Sequence, residues 1–583
     1  MRRYLIIALV LVLSSLAVCA QEKADKEIEQ SQELEKKTFA LVNEIASAAW
    51  GLKLPENRVF IMASAADLLW PSDEKRAKAL YWDALNSINS ITAVTAAPGE
   101  TPSKADREKI LQSYFQIFQL RQKVLVQVSH RDAQLALDML RATRQVPPRQ
   151  LGPEFSFAGD VQLEQEIASE VAAHDPVQAL QLARQSLAKG LSFQLLDLLN
   201  KLNLADSEKA TQFAGEIITK LQTANLATDF RASLLATQLL RESRSRVNIL
   251  STTGRAKALN LSDDQKRELV ELLTNAALSV SANSNLVAEI SDLMPEIDQF
   301  LPDKRAAVER KVAAFQATLP REQRDQYAQN ALIRNGTPED IIRTAATMDD
   351  RTRQMLYQQA SIIAVARGRS DAFRDFVGKE VNESERRKIL DLLDVEEIST
   401  AAGRKQLDDL RKLIPKIGRK EERARAMAEL ALMLKEKGED EEAASLLDEA
   451  ATLIKTDLKD EKQTNALLTL LCAYAIIDPP KAFALAERTI DRANSQISVL
   501  MLVDKVVKSG AVKKSEIILD QGGIMPIEFL LFRYGKGVSA LAKADFTRTR
   551  ALADRFDRNE LRVLAQLLIV KGLLQPQAMT RVP

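Results

Sequence analysis

The sequence predicts an all-α protein, an α-α superhelix (solenoid) of degenerate helical hairpins. Three observations predict it. Hydrophobic residues make up 46% and charged residues 28%, while Gly and Pro number only 19 and 18 in 583 residues; the dominant types are those that lose least on entering a helix. Apolar residues recur three and four apart, and strand-like alternation is nearly absent. A spacing led by aspartate also returns at successive turns between helices. Length alone suggests two to four domains, but a stack of repeats escapes that arithmetic.

The first twenty residues are an address. Arg2 and Arg3 precede an apolar run from Leu5 to Leu13, and Val18-Cys19-Ala20 is a small-residue end. This predicts a signal peptide over 1–20, Sec export to the periplasm or outside, and cleavage between Ala20 and Gln21. Leu16-Ala17-Val18-Cys19 is similar to a lipobox, so a lipid anchor on Cys19 is the minor alternative; Val before the Cys disfavours it. No later run reaches the roughly 18–20 apolar residues that a spanning helix needs.

Losing Arg2 and Arg3 leaves 79 basic against 80 acidic residues. Such a balance gives no reason to expect nucleic acid or an anionic membrane as a partner. Cleavage would also leave Cys472 as the single cysteine, excluding an internal disulfide; its apolar neighbours Leu470, Leu471 and Ala473 predict a small buried hydrophobe.

A charged, Gln-rich leader covers 21–37, and an N-terminal helical block covers 38–145. Arg58 to Trp70 reads as a helix, Pro71-Ser72-Asp73 as a turn, and Glu74 to about Ile91 as the partner helix. Trp50, Trp70 and Trp82 all lie here, and read as interhelix anchors or a terminal cap more readily than as a sugar or peptide platform. Ala96 to Pro102 is a loop. Pro147-Pro148 and Gly152-Pro153 cannot continue a helix, which places a linker at 146–160. Helical-hairpin repeats follow over 161–402 and a further set over 403–583. Nine Lys or Arg against four Asp or Glu between Gly403 and Arg425 read as a solvated helix face.

The clearest hairpins lie between Arg423 and Ala493. Met427, Leu430, Ala431 and Leu434 share one helix face, Lys437-Gly438-Glu439-Asp440 breaks the pattern, and Ala443, Leu446, Leu447 and Ala450 form the face of the return helix. Over about 424–457 this resembles a tetratricopeptide repeat: Met427-x2-Leu430-Ala431-x2-Leu434 stands at its W-x2-L-G-x2-Y, and Ala443-x3-Leu447 at its A-x3-F. Met427 replaces the aromatic, and Lys455 the usual Pro. The resemblance implies a right-handed superhelix whose concave face takes a protein or peptide.

A degenerate repeat links the blocks. Asp73, Asp132, Asp175, Asp206, Asp440 and Asp478 sit in expected turns. Ala77, Ala136, Ala179, Ala210, Ala444 and Ala482 follow each by four residues, and Leu80, Met139, Leu182, Phe213, Leu447 and Leu485 by seven. Asp caps the second helix, Ala admits close approach, and the larger residue fills the groove. About 220–403 and the region of Asp545 fit poorly.

Chemistry is thin. His130 and His174 each precede a repeat aspartate at near-equivalent places, which favours turn residues over a general base with its orienting carboxylate. Two His and two Cys supply no zinc spacing. Neither a phosphate-binding glycine loop nor a nucleophile elbow occurs, and Gly522-Gly523 reads as a turn. No catalytic, cofactor-binding or metal residue is therefore expected. The reading is an exported, non-enzymatic interaction scaffold. Its alternative is a cell-wall-active helical enzyme. Glu383-Ser384 and Gly523-Ile524-Met525-Pro526 are poor echoes of lytic transglycosylase motifs, and an aromatic content of 5% does not suit the (α/α) toroid enzymes.

Overall fold

The computed structural model describes residues 28–89, 91, 103–144, 159–243, 258–281, 284–319, 333, 336–403, 406–454, 461–507, 512–519 and 527–575. The expected signal peptide with Cys19, the leader up to residue 27, the loop from Ala96 to Pro102, the Pro147–Pro153 break and Gly522 to Pro526 lie outside them. The fold is an all-α solenoid of successive helical hairpins, with a single two-stranded ribbon among the described residues.

Two compact units share the chain: residues 93–419, and residues 1–92 together with 420–583. In the continuous unit, Lys104–Ser129, Gly159–Ala172 and Gln194–Ala205 pack side by side as the first helices of three hairpins; Ala133–Ala142, Pro176–Lys189 and Ser207–Gln222 return behind them. Further helices follow from Phe230 to Thr318, then Pro338–Ala345, Asp350–Ala366, Ser370–Glu380, Glu383–Gly403 and Leu407–Leu413. Pro338–Ala345, Asp350–Ala366, Ser370–Glu380 and Glu383–Gly403 share a core of Ile341, Leu356, Phe373, Val377, Ile389 and Leu393, all with no exposed surface.

This corrects the expected boundary at 146–160. Gly159–Ala172 packs directly on Lys104–Ser129. Arg121, 1% exposed, reaches across to Asp160 at 2.7 Å and to the Leu140 carbonyl at 2.5 Å. A buried guanidinium needs all of its donors met, and Arg121 meets them from Leu140, Thr143 and Asp160, so the helices on either side of the expected boundary belong to one stack.

In the second unit, Lys420–Glu436, Glu461–Ile477, Ile527–Ala544 and Asn559–Leu574 stack in turn as first helices, and Pro55–Leu69 continues that row after Asn559–Leu574. The expected block 38–145 is thus divided, its first hairpin belonging with the chain's last. The reason is local. Leu54, at the N-cap of Pro55–Leu69, has no side-chain acceptor. Glu516, 3% exposed, takes that part: its Oε2 accepts from the backbone amides of Lys53 (2.6 Å) and Leu54 (2.9 Å), its Oε1 from Asn57 Nδ2 (3.2 Å). Glu516 lies in the ribbon Val512–Lys513 and Glu516–Ile517, whose turn holds Lys514 (φ 51°) and Ser515 (φ 59°) in the left-handed region. Two non-glycine residues there are strained; Arg558, donating to the Ser515 carbonyl, helps to hold them.

The aspartate repeat is largely real. Asp73, Asp132, Asp175, Asp206 and Asp478 each accept from a backbone amide two or three residues on, and Ala77, Ala136, Ala179, Ala210 and Ala482 are wholly buried. Asp440 is a correction: it is the first helical residue, Glu439 holds the N-cap position but its side chain does not cap the helix, and Ala443 rather than Ala444 is buried. Gly438 ends the preceding helix at φ 83°, as a C-terminal glycine should. Asp229 and Asp545 also cap helices. Ser233 and Thr549 are buried where the other turns have Ala, which is why an Ala-based pattern passed over them.

A second repeated device escaped the sequence reading. Arg58, Arg353, Arg386 and Arg562 each stand fourth in their helices, and each folds its Nη2 back onto a carbonyl five or six residues earlier, at 2.7–3.1 Å. Arg353 and Arg386 are 33 residues apart, one hairpin apart in the stack.

Candidate functional site: a polar face on three first helices

Helical spacing places Glu166 and Glu170, four residues apart, on the same side of Gly159–Ala172. Lys104–Ser129 brings Gln122 and, at its C-terminal end, His130 to one flank. Gln194–Ala205 brings Asp197 and Lys201 to the other. Gln122 Nε2 lies 2.8 and 2.6 Å from the two oxygens of Glu166. Glu170 Oε2 is 2.7 Å from His130 Nε2, and its Oε1 accepts from Lys201 Nζ at 2.9 Å. Lys201 also reaches Asp197 at 2.9 Å, and the Ser169 hydroxyl donates to that carboxylate.

The two glutamates are driven apart electrostatically. Burial raises Glu166 to about 7, since the Gln122 amide offsets only part of the desolvation and the Glu170 and Asp197 charges add to it. Burial acts upward on Glu170 too, but hydrogen bonds from His130 and Lys201 and their charges outweigh it and hold that carboxyl at about 2. Lys201, though desolvated, is raised by Glu170 and Asp197. One neutral and one ionised carboxyl on neighbouring turns is a pattern found at acid–base sites. Here both are already engaged by protein donors.

The other candidate residues disperse. His174 is exposed in its turn, beside the cap Asp175; the two histidines are not equivalent, because only His130 reaches a carboxylate. Glu383 points outward with its side chain 81% exposed, paired with Arg386, and Ser384 is exposed beside it. Trp70 and Trp82 are half-buried, Trp70 lying 6.2 Å from Tyr81 with Lys78 over its ring; Trp50 is 53% exposed beneath Arg58. Cys472 is half-buried, its Sγ 3.8 Å from the Tyr534 carbonyl. In the basic stretch, Arg419 meets Asp391, and Arg425 meets Glu422 and Glu429.

Cavities lie elsewhere among the described residues. One of about 340 Å³ is lined by Arg343, Arg353, Tyr357, Phe376 and Glu385; burial and the Glu385 contact push Tyr357 up to about 12. Another, of about 230 Å³, sits beside Glu516 and Arg558, and one of about 380 Å³ is lined by Arg184, Leu187, Glu216 and Thr223. Among the described residues no His, Cys, Asp and Glu group has the arrangement of a metal site, and no helix is long and apolar enough to cross a membrane.

No family model matches the chain, and no curated protein matches it. Among solved structures, a "Circular tandem repeat protein with novel repeat topology and enhanced subunit contact surfaces" aligns over 94% of this chain and 98% of its own, with 12% identity and a TM-score of 0.13. A likeness of that degree carries no argument.

Proposed function

We propose that the chain is a Sec-exported, periplasmic or secreted scaffold of tetratricopeptide-like hairpins that holds a protein or peptide against the face carrying Gln122, His130, Glu166, Glu170 and Lys201. One observation carries this reading: three successive first helices place donors and acceptors in one continuous row. Helical-repeat proteins commonly bind partners along such a face. Met427, Leu430, Ala431 and Leu434, buried at the positions that match the first-helix motif, support the tetratricopeptide-like reading. The signal-peptide pattern of residues 1–20 supports export, and the near-neutral charge argues against nucleic acid. Catalysis is not part of the proposal, because Glu166 and Glu170 meet Gln122, His130 and Lys201 instead of an open cleft.

The test is affinity capture from the envelope or secreted fraction of the native host, with wild-type protein and a folded Glu170→Ala variant. A partner retained by the wild type and lost from the variant is expected. Equal recovery from both would move the binding surface elsewhere, and hydrolysis of cell-wall glycan by the wild type would replace the scaffold with the enzyme.

A further inference from the structure

Glu166 occupies the centre of the polar face, and its bonding is unlike that of Glu170. Both of its oxygens face a single neutral amide, Gln122 Nε2. The cation that acts on it, Lys201, is already committed to Glu170 and Asp197. His130, at the end of Lys104–Ser129, is turned to Glu170. Two further helices pack on Gly159–Ala172, and their charges face other partners: Arg141 meets Asp138, Lys189 meets Glu164, and Arg184 meets Glu216. An ionised Glu166 is therefore a third carboxylate beside Glu170 and Asp197, with one lysine among them.

We propose that the packing of Gly159–Ala172 between Lys104–Ser129 and Gln194–Ala205 is controlled by pH in the neutral range, with Glu166 as the sensing group. Protonated, Glu166 can donate as well as accept, and the three hairpins close on one another. Ionised, it repels Glu170 and Asp197, and hydration of the extra charge favours separating the first helices. The sign follows from the raised carboxyl. Its contribution to stability is complete below the ordinary glutamate range, declines as pH rises toward 7, and is absent above it. The inference rests on the preceding reading only in that this face is the proposed binding surface; packing can be measured with no partner present.

Hydrogen exchange of the full chain between pH 5.5 and 8.5, corrected for intrinsic exchange rates, tests it. Amide protection in Gly159–Ala172 and Gln194–Ala205 should fall by roughly tenfold across that range. Protection in Lys420–Glu436 should not follow. Glu166→Gln, which keeps the shape without the charge, should abolish the pH response. Gln122→Ala removes a donor to the carboxylate and should move the transition to higher pH, a shift that damaged packing alone would not produce. A flat wild-type profile would overturn the proposal, and so would a Glu166→Gln profile that keeps the wild-type slope. Equal recovery of a captured partner by the wild type and Glu170→Ala, with the pH response intact, would count against the binding reading alone.

Discussion

Single side chains in this protein act mainly on helix ends. Asp175 accepts from the amides of Val177 (3.1 Å) and Gln178 (2.9 Å) at the start of Pro176–Lys189, and Pro176 costs nothing at the first helical position. Asp175→Ala should destabilise the fold by about 0.5–2 kcal/mol, the usual cost of losing a cap. His174→Gln should leave a denaturant titration unchanged, because its ring is exposed. A His174 variant that unfolds early would assign the turn's contribution to the wrong residue. Glu170 makes a prediction of the other kind. Its carboxyl is held at about 2 in the fold, so its stabilisation is present above the ordinary glutamate range and is lost as pH falls toward 2. With the side chain 20% exposed, the effect of Glu170→Gln should be about 1–2 kcal/mol at pH 7 after discounting for solvent screening. It should vanish near pH 2. A pH-independent loss would mean that shape, and not charge, is what Glu170 supplies.

At the scale of helices, close approach through small residues sets the spacing both within hairpins and between them. Ala443 and Ala482 have no exposed surface, and a Cβ on Gly537 would lie 2.8 Å from Cys472 Cα. Enlarging Ala443 or Ala482 to Leu should cost about 1–3 kcal/mol by overpacking, and Ser should be far milder. Equal tolerance of Leu and Ser in a thermal melt would place those alanines on the surface. These positions were readable in the sequence because close packing demands a small residue at a fixed offset from a cap, as Ala77, Ala136, Ala179 and Ala210 repeat. Asp440 misled by one residue because Glu439-Asp440-Glu441-Glu442 offers four acids to one helix start, and local chemistry does not choose between neighbouring registers. The polar face was not readable. Gln122, Glu166 and Lys201 are ordinary residues on amphipathic helices, and only the stacking of three hairpins brings them together. Pairing His130 with its neighbour Asp132 looked along the chain, whereas its partner Glu170 lies 40 residues on. The Arg353 and Arg386 clamps left a faint trace, a basic residue four after an Asp349 or Asn382 cap, but a single Arg in a first turn is too common to stand out.

At the scale of the whole chain, the first and last described hairpins belong to one unit, and the contact that joins them is polar and buried. Glu516 supplies the acceptor that Leu54 lacks, Asn57 exchanges hydrogen bonds with the backbone of Ile517 and Leu519, and Glu560 accepts from the Ile517 amide. Every member of that network is nearly without solvent, so removing one partner leaves buried groups unmet and costs more than the bond itself contributed. The sequence held half of this: a helix opening on Leu54-Pro55 with no capping side chain requires an acceptor from elsewhere, but nothing in the chain says that it arrives from residue 516. Glu516→Ala should therefore destabilise this unit by about 2–4 kcal/mol. The loss should be shared by helices distant in sequence. Amide protection should fall together in Pro55–Leu69, Val512–Ile517 and Asn559–Leu574, while Lys420–Glu436 and Asp440–Leu453, farther along the stack, change little. Glu516→Gln, which keeps an acceptor oxygen but meets one amide with its own NH2, should fall between the wild type and Ala. Loss of protection confined to the ribbon would show that it is an ornament on a stack already complete. Loss shared by Pro55–Leu69 and Asn559–Leu574 would show that the N-terminal hairpin serves as the terminal repeat of the C-terminal row, held there by one carboxylate.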